Sequence, residues 1–329
     1  MLILSESEIR SLYSMDDAIV DMEKVLHTYE NGNIQLPERT VLNFQEKQAS
    51  ALYMPSAIEP MGKSAVKVVT IFPGNTEKGK RTTQGMILLS DTDNGEHLAC
   101  MEASYLTRVR TGAASGIATK WLARETASSV AVIGCGGMAE EQLLAVLTVR
   151  SIKQIYLYNR TKQRAKSFLE KISFLDPEFK GTVTIVDDPN HAISNADILI
   201  CSTRSATPVF NGAFLRPGTH INGIGSYLPH MQEVDEETLN RCSKVVVDTL
   251  EGVMEEAGDF LVPIKAGRWD FSFIHGELSQ LPTRIIEGRE TEEEITFFKS
   301  VGIAYFDLAV AAAVYEKAKR VGIGTEVKL

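Results

Sequence analysis

Three cations stand where their neighbours are apolar or small: Arg39 in "LPERTVLNF", Lys67 in "AVKVVTIF" and Arg110 in "LTRVRTGAA". A lysine flanked by valines in a strand is usually a paired or snorkelling surface group, so each cation alone is a weak signal. They gain weight from the loop in "SSVAVIGCGGMAEEQLLAV", where Gly134-x-Gly136-x-x-Ala139 follows an apolar strand and opens a helix. In that context a weak motif becomes a dinucleotide-binding signature. Gly134 permits a tight turn, Gly136 removes the side chain that would block a pyrophosphate, and Ala139 keeps the helix close to the strand. Gly137 and Met138 complete the loop, and the free N–H groups at the helix start face the phosphates.

The next strand ends in "YLYNRTKQR", where an NAD-preferring fold would show Asp or Glu for the ribose hydroxyls. Asn159, Arg160 and Thr161 instead supply neutral donors and a cation. A charge-assisted bond from Arg160 to a 2'-phosphate is worth about 1.5 to 3 kcal/mol, so NADPH is the expected cofactor, with NADH possible. The histidines, His27, His97, His191, His220, His230 and His275, show no His-x-His or His-x-x-x-His spacing, and no metal site is expected. His230 lies three residues past Tyr227 and is placed to reach the mouth of a site. "EEAGD", ending at Asp259, and "RETEEEI" read as helix starts and solvated faces.

The elements that must position these groups are legible in outline. A length of 329 residues allows two domains with sizeable cores, and 44% hydrophobic with 23% charged residues matches an ordinary globular protein. The net charge of -9, with no basic block longer than Lys78 to Arg81, argues against a nucleic-acid partner. Cys100, Cys135, Cys201 and Cys242 lie far apart with no Cys-x-x-Cys pair, which fits a reducing cytoplasm. "MLILSESEIR" offers four apolar residues before charge arrives, too few for a signal peptide, and no run approaches the roughly 18 residues that span a bilayer.

Along the chain, residues 5 to 33 read as two helices, with Ser5 and Glu8 as a capping box and Met15, Ile19, Met22, Leu26 and Tyr29 at helical spacing. From Arg39 to Met101 strands alternate, "TVLNF", "ASALYMP", "SAVKVVTIF", "GMILLSD" and "EHLACME", predicting a largely antiparallel region. Leu106 to Arg124 is helical and rich in small residues. After it, "SSVAVIG", "QIYLYN", "VTIVD", "ADILICS", "HINGIG" and "KVVVDT" alternate with helices, the pattern of a doubly wound parallel sheet. Thr296 to Val321 contains a long helix stopped by Gly322.

Taken in order, "LPERT", "VKVVTIFPGN", "TTQG", "LTRVRTGAASGIATKWLAR", "GCGGMAEEQL", "NRT", "INGIGSYLPHMQEVD", "EAGD" and "FKSVGIAYFDLA" resemble the ornithine cyclodeaminase and mu-crystallin family over most of the chain. The resemblance implies an α/β fold: a Rossmann-type domain, 113–302, and an α+β substrate-binding and dimerisation domain, 1–112, on which a C-terminal helix, 303–329, packs. It also implies a homodimer. Arg39, Lys67 and Arg110 then correspond to residues that hold a substrate carboxylate, with Lys67 catalytic and Met54 and Tyr227 lining the pocket. Thr82 and Ser300 fall near the nicotinamide, and Arg110, Thr111, Ser202 and Thr203 join the cofactor set. Partly buried cations without an anion would cost several kcal/mol each, so an anionic ligand accounts for the cluster. Two neighbouring arginines would lower the pKa of Lys67 towards the range useful for proton transfer. Asp307 follows the family pattern and is expected to anchor the last helix.

The family's members share a pocket and differ in reaction. Its cyclodeaminases carry an aspartate in a Gly-Gly-Asp-x-Pro-Gly-Lys type segment, and Tyr227 stands at that position here. A phenol of ordinary pKa about 10 cannot replace a carboxylate base at neutral pH. The resemblance therefore points to NAD(P)H-dependent reduction of a cyclic ketimine carboxylate, 1-pyrroline-2-carboxylate or 1-piperideine-2-carboxylate, to proline or pipecolate. An alanine-type dehydrogenase, an ornithine cyclodeaminase and a non-catalytic NADPH-bound ligand carrier are the alternatives.

Overall fold

Apolar residues at every second position make strands of much of residues 34 to 102, in a computed structural model that describes residues 1–328. The chain divides into two units, Met1–Arg110 with Ile303 onward, and Thr111–Gly302. In the first unit Ile34–Gln35, Thr40–Phe44, Ala49–Ile58, Lys63–Ile71, Thr83–Asp91 and His97–Glu102 pair antiparallel. Leu2–Leu4, a run too short to carry a period, adds in parallel to His97–Glu102 and is itself flanked by Thr325–Glu326. The C-terminal helix ends at Val321, where Gly322, the stop its sequence predicts, takes the left-handed conformation at φ 71°, short of the end of the 303–329 segment.

Ser5 caps the helix Glu6–Leu12 through the expected reciprocal bonds with Glu8, and Ser14 with Asp17 repeats the device on Met15–Glu30. Met15, Ile19, Met22 and Leu26 of that second helix are buried, and Tyr29 stacks on Tyr305 at 5.0 Å. The helix Ala304–Val321 packs on it and on the three long strands. Strand alternation then sorts the sheet into two faces. Met54, Ser56, Ala65, Lys67, Ile87 and Leu89 are buried on one, whereas Leu42, Phe44, Tyr53 and Met86 on the other are 38% to 48% exposed.

The helix Ala103–Leu122 begins three residues earlier than its spacing predicts, because the Glu102 carboxylate accepts from the amides of Ser104 and Tyr105. Its far end lacks a glycine stop. Arg150 donates instead to the carbonyls of Thr119, Lys120, Ala123 and Arg124, and Arg289 to that of Leu122, cations meeting the negative end of the helix dipole.

The second unit is a parallel sheet in the order Thr182–Ile185, Gln154–Tyr158, Ser129–Ile133, Ile198–Cys201, His220–Gly223, Thr296–Lys299, Lys244–Val247, Ile274–Glu277. Chain direction across the sheet reverses between Ser129–Ile133 and Ile198–Cys201, the switch point at which such sheets bind ligands. Thr296–Lys299 is a strand that the sequence reading of that stretch does not single out ahead of its helix. Four buried residues, "TFFK", fill a gap between two strands and show no period of their own. Between them and the neighbouring strand, buried His220 bonds Thr296 and Asn222 through its two ring nitrogens, and burial pulls its pKa down to about 3, which leaves it neutral.

Candidate active site

Lys67 sits in the middle of its strand, opposite Met54 on one side and Ile87 on the other, on the face covered by the C-terminal helix. Its Nζ donates to Asp307 Oδ2 at 2.5 Å, and Arg110 Nε donates to Asp307 Oδ1 at 3.2 Å. The three side chains are 4%, 7% and 2% exposed. Asp307 thus does more than anchor a helix: it is the internal counter-ion for two cations that sequence reasoning had left without one. One carboxylate does not exhaust them, since Arg110 Nη1 is buried with no hydrogen-bond partner. Burial pulls the Lys67 pKa down to about 8; Asp307 opposes that, and the charges of Arg110 and Arg39 push further down. Burial is thus the larger cause, with the arginines secondary. Arg39 is half-buried just before Thr40–Phe44. Thr82 directly precedes the strand Thr83–Asp91, and its carbonyl accepts from the Phe72 amide at 2.8 Å.

In the second unit the glycine loop has the shape its residues demand. Gly134 is at φ 97°, and a Cβ there would meet Thr203 Cγ2 at 2.6 Å. A Cβ at Gly136 or Gly137 would meet nothing within 4 Å, so the space above the loop is open to a ligand. Ala139 is fully buried at the start of Ala139–Val149. Two residues assigned to the cofactor also build the loop: Asn159 Oδ1 accepts from the Cys135 amide at 3.0 Å, and Ser202 Oγ donates to the Gly134 carbonyl at 2.6 Å. Arg160 and Thr161 are exposed at the start of Lys162–Leu175, and Thr111 is buried in the helix Ala103–Leu122. Beside Gly134, the Thr203 side chain is held against the buried Glu233 carboxyl group. An open glycine cradle and helix amides at a switch point fit the pyrophosphate of a dinucleotide.

Ser300 Oγ donates to Asp248 Oδ2 at 2.8 Å, on a carboxylate that also holds the amides of Val301 and Gly302. Tyr227 is half-exposed, its ring centre 6.0 Å from the Arg204 guanidinium, and His230 is exposed. Behind Tyr227 lies a group that sequence reasoning missed. Glu233, Asp259 and Lys299 are all 0% exposed, so Asp259 is far from a solvated face. Lys299 pairs with Asp259 at 2.7 Å. The signal that could have found it is the one that singled out Lys67, a cation ending an apolar run, here "TFFKS". Among the described residues, no three His, Cys, Asp or Glu side chains gather as a metal would require, and no helix is long and apolar enough to cross a membrane.

Comparison with known proteins agrees with this architecture. A family model described as the ornithine cyclodeaminase/mu-crystallin family matches residues 1–322. A Delta(1)-pyrroline-2-carboxylate reductase of Bacillus cereus is 42% identical over 328 residues, 100% of each chain. The structure of the Thermococcus litoralis Delta(1)-pyrroline-2-carboxylate reductase with NADH and L-proline is 40% identical, covers 99% of this chain and 100% of its own, and superposes with a TM-score of 0.94. An archaeal alanine dehydrogenase dimer with bound NAD is 36% identical over 100% of this chain and 99% of its own, with a TM-score of 0.91.

Proposed function

The chain belongs to the ornithine cyclodeaminase/mu-crystallin family, and from that membership we propose that it reduces 1-pyrroline-2-carboxylate to proline with a nicotinamide dinucleotide. The homologous six-membered ring, 1-piperideine-2-carboxylate, is the second substrate. One observation carries the reading: a buried lysine of pKa about 8 beside an arginine with an unused buried donor. In this reading Arg110, with Arg39, takes the substrate carboxylate, because a carboxylate satisfies the free Nη1 and neutralises the surplus positive charge. The Lys67 ammonium gives its proton to the imine nitrogen, and a pKa near the working pH suits it to that transfer. When bound, the reduced nicotinamide supplies the hydride that reaches C2 of the ring. Hydride on carbon and proton on nitrogen together yield the secondary amine.

The loop Gly134–Ala139, Thr203 and Ser202 would hold the dinucleotide. With no carboxylate at 159–161 and Arg160 exposed there, NADPH is accepted as well as NADH. Tyr227 at the cyclodeaminase aspartate's position supports reduction over ring-closing deamination. The exposed sheet face of Leu42, Phe44, Tyr53 and Met86 is an apolar patch of the kind that partners cover, and it supports a homodimer. Four unpaired cysteines support a reducing, cytoplasmic setting. The likeness to an alanine dehydrogenase keeps amino-acid dehydrogenation as the second reading. Initial rates with pyrroline carboxylate, piperideine carboxylate, pyruvate plus ammonia, and ornithine, each with both cofactors, test it. The cyclic imines are expected to be the fastest substrates. Faster turnover of pyruvate plus ammonia, or ammonia release from ornithine without net cofactor change, would overturn the proposal.

A further inference from the structure

Ser226, the residue before Tyr227, has every polar group held. Its amide donates to Glu233 Oε2 at 3.1 Å, its carbonyl accepts from Lys299 Nζ at 2.6 Å, and its hydroxyl bonds both Asp259 and Lys299. Glu233 reaches two strand ends at once. Oε2 also accepts from the Gly225 amide at 2.7 Å, and Oε1 from the Thr203 amide at 2.5 Å. Asp259 Oδ1 in turn holds the amides of Glu233 and Val234 at 2.6 and 3.1 Å. The fit is close enough that a Cβ at Gly225 would collide with the Thr203 backbone.

Three charges buried together carry a large desolvation penalty, and well-packed apolar residues would fill the same volume more favourably. The network has therefore to be judged by what its hydrogen bonds hold. Apart from one another, its hydrogen bonds reach the Ser226 hydroxyl and the backbone groups of Thr203, Gly225, Ser226, Glu233 and Val234. Two of these positions, Thr203 and Ser226, close adjacent strands, Ile198–Cys201 and His220–Gly223, at their carboxyl ends, where a parallel sheet binds its ligand.

We infer that Glu233, Asp259 and Lys299 form a positioning staple that fixes Thr203 and the Gly225–Tyr227 turn as a rigid rim for the dinucleotide. The inference rests on the proposed dinucleotide binding for its purpose, but the rigidity is a property of the free protein. No member of the staple touches the reacting atoms; each acts through the backbone it holds. Glu233 is the sensitive position. A carboxamide there has one acceptor where the staple needs two, so the Thr203 side or the Gly225–Ser226 side must face an N–H with another N–H.

The test uses Glu233→Gln in the full chain and reads amide hydrogen exchange and NADH affinity together. The expected result is exchange at Thr203, Gly225 and Ser226 faster by about tenfold or more, unchanged exchange in Ser129–Ile133, and an NADH Kd raised about tenfold. Unchanged exchange at the rim would overturn the inference. So would exchange quickened uniformly through the unit, the mark of general destabilisation, or a looser rim with wild-type NADH affinity. A wild-type chain that bound neither NADH nor NADPH would sink the dinucleotide reading and leave the staple to be decided by exchange alone. Ser226→Ala, which removes only the hydroxyl bonds and leaves Glu233 in place, is the companion should Glu233→Gln fail to fold. It is expected to loosen residues 225–227 and leave Thr203 protected.

Discussion

Two buried ionic clusters, one in each unit, are near opposites. In the first, Lys67 and Arg110 share the single carboxylate of Asp307. In the second, Lys299 serves two carboxylates, Asp259 by direct pairing at 2.7 Å and Glu233 by its charge. The first has an excess of positive charge and a buried guanidinium nitrogen with nothing to bond. The second has an excess of negative charge, and backbone amides donate to both its carboxylates. Charge excess alone therefore does not mark a site. An excess joined to an unused donor is an invitation to a ligand of opposite sign, whereas an excess with every group engaged holds the backbone that engages it.

The hardest test of that distinction is Lys67→Met. Methionine fits the apolar strand position opposite Met54, removes the proton donor and its bond to Asp307, and leaves Asp307 paired with Arg110. Reduction of the cyclic imine is expected to slow by about 10²- to 10⁴-fold, the usual weight of general acid catalysis, with NADH affinity unchanged. Stopped-flow oxidation of NADH under single-turnover conditions measures it, and a loss below tenfold would remove Lys67 from the chemistry. Arg110→Lys comes next in size. It keeps the charge and loses the planar fork that can hold Asp307 and a second carboxylate together. The KM for the imino acid should rise about tenfold to a hundredfold, matching about 1.5 to 3 kcal/mol for a charge-assisted bond, while kcat changes less. An unchanged KM would mean that the free Nη1 is not the carboxylate donor.

The two clusters were unequally visible in the sequence. Lys67 and Arg110 stood out because a cation among valines or small residues breaks a local pattern, and Gly134 and Gly136 because their strand and helix context is local as well. Asp307 reads as no more than a helix anchor, since nothing in "AYFDLA" shows that a lysine 240 residues away completes it. Glu233, Asp259 and Lys299 are 25 to 73 residues from the groups they bond, Glu233's nearer contacts aside, and two of them sit in acidic, surface-like stretches. Burial created by tertiary packing is the one property that reclassifies them, and periodicity carries no record of it. The strand Thr296–Lys299 was lost for a related reason: four residues buried on both faces have no alternation to read.

The smallest expected effect is also the most diagnostic, because it moves a pH profile without removing a catalytic group. Reduction needs Lys67 protonated, so its rate should be full below about 8 and fall as the pH rises through about 8. The reverse oxidation needs the free amine and should rise across the same interval. Asp307 is the one neighbour that raises this pKa, against burial and the charges of Arg110 and Arg39. Asp307→Asn therefore removes the opposing influence, and the descending limb should move to lower pH. At a fixed pH above the limb, each unit of movement lowers the protonated fraction, and the reduction rate, by roughly tenfold. The profile of kcat/KM for pyrroline carboxylate from pH 5.5 to 9.5 reads the shift directly. A limb that stays in place as overall activity falls would leave Asp307 as a structural anchor, and the first cluster would then differ from the second only in the sign of its charge.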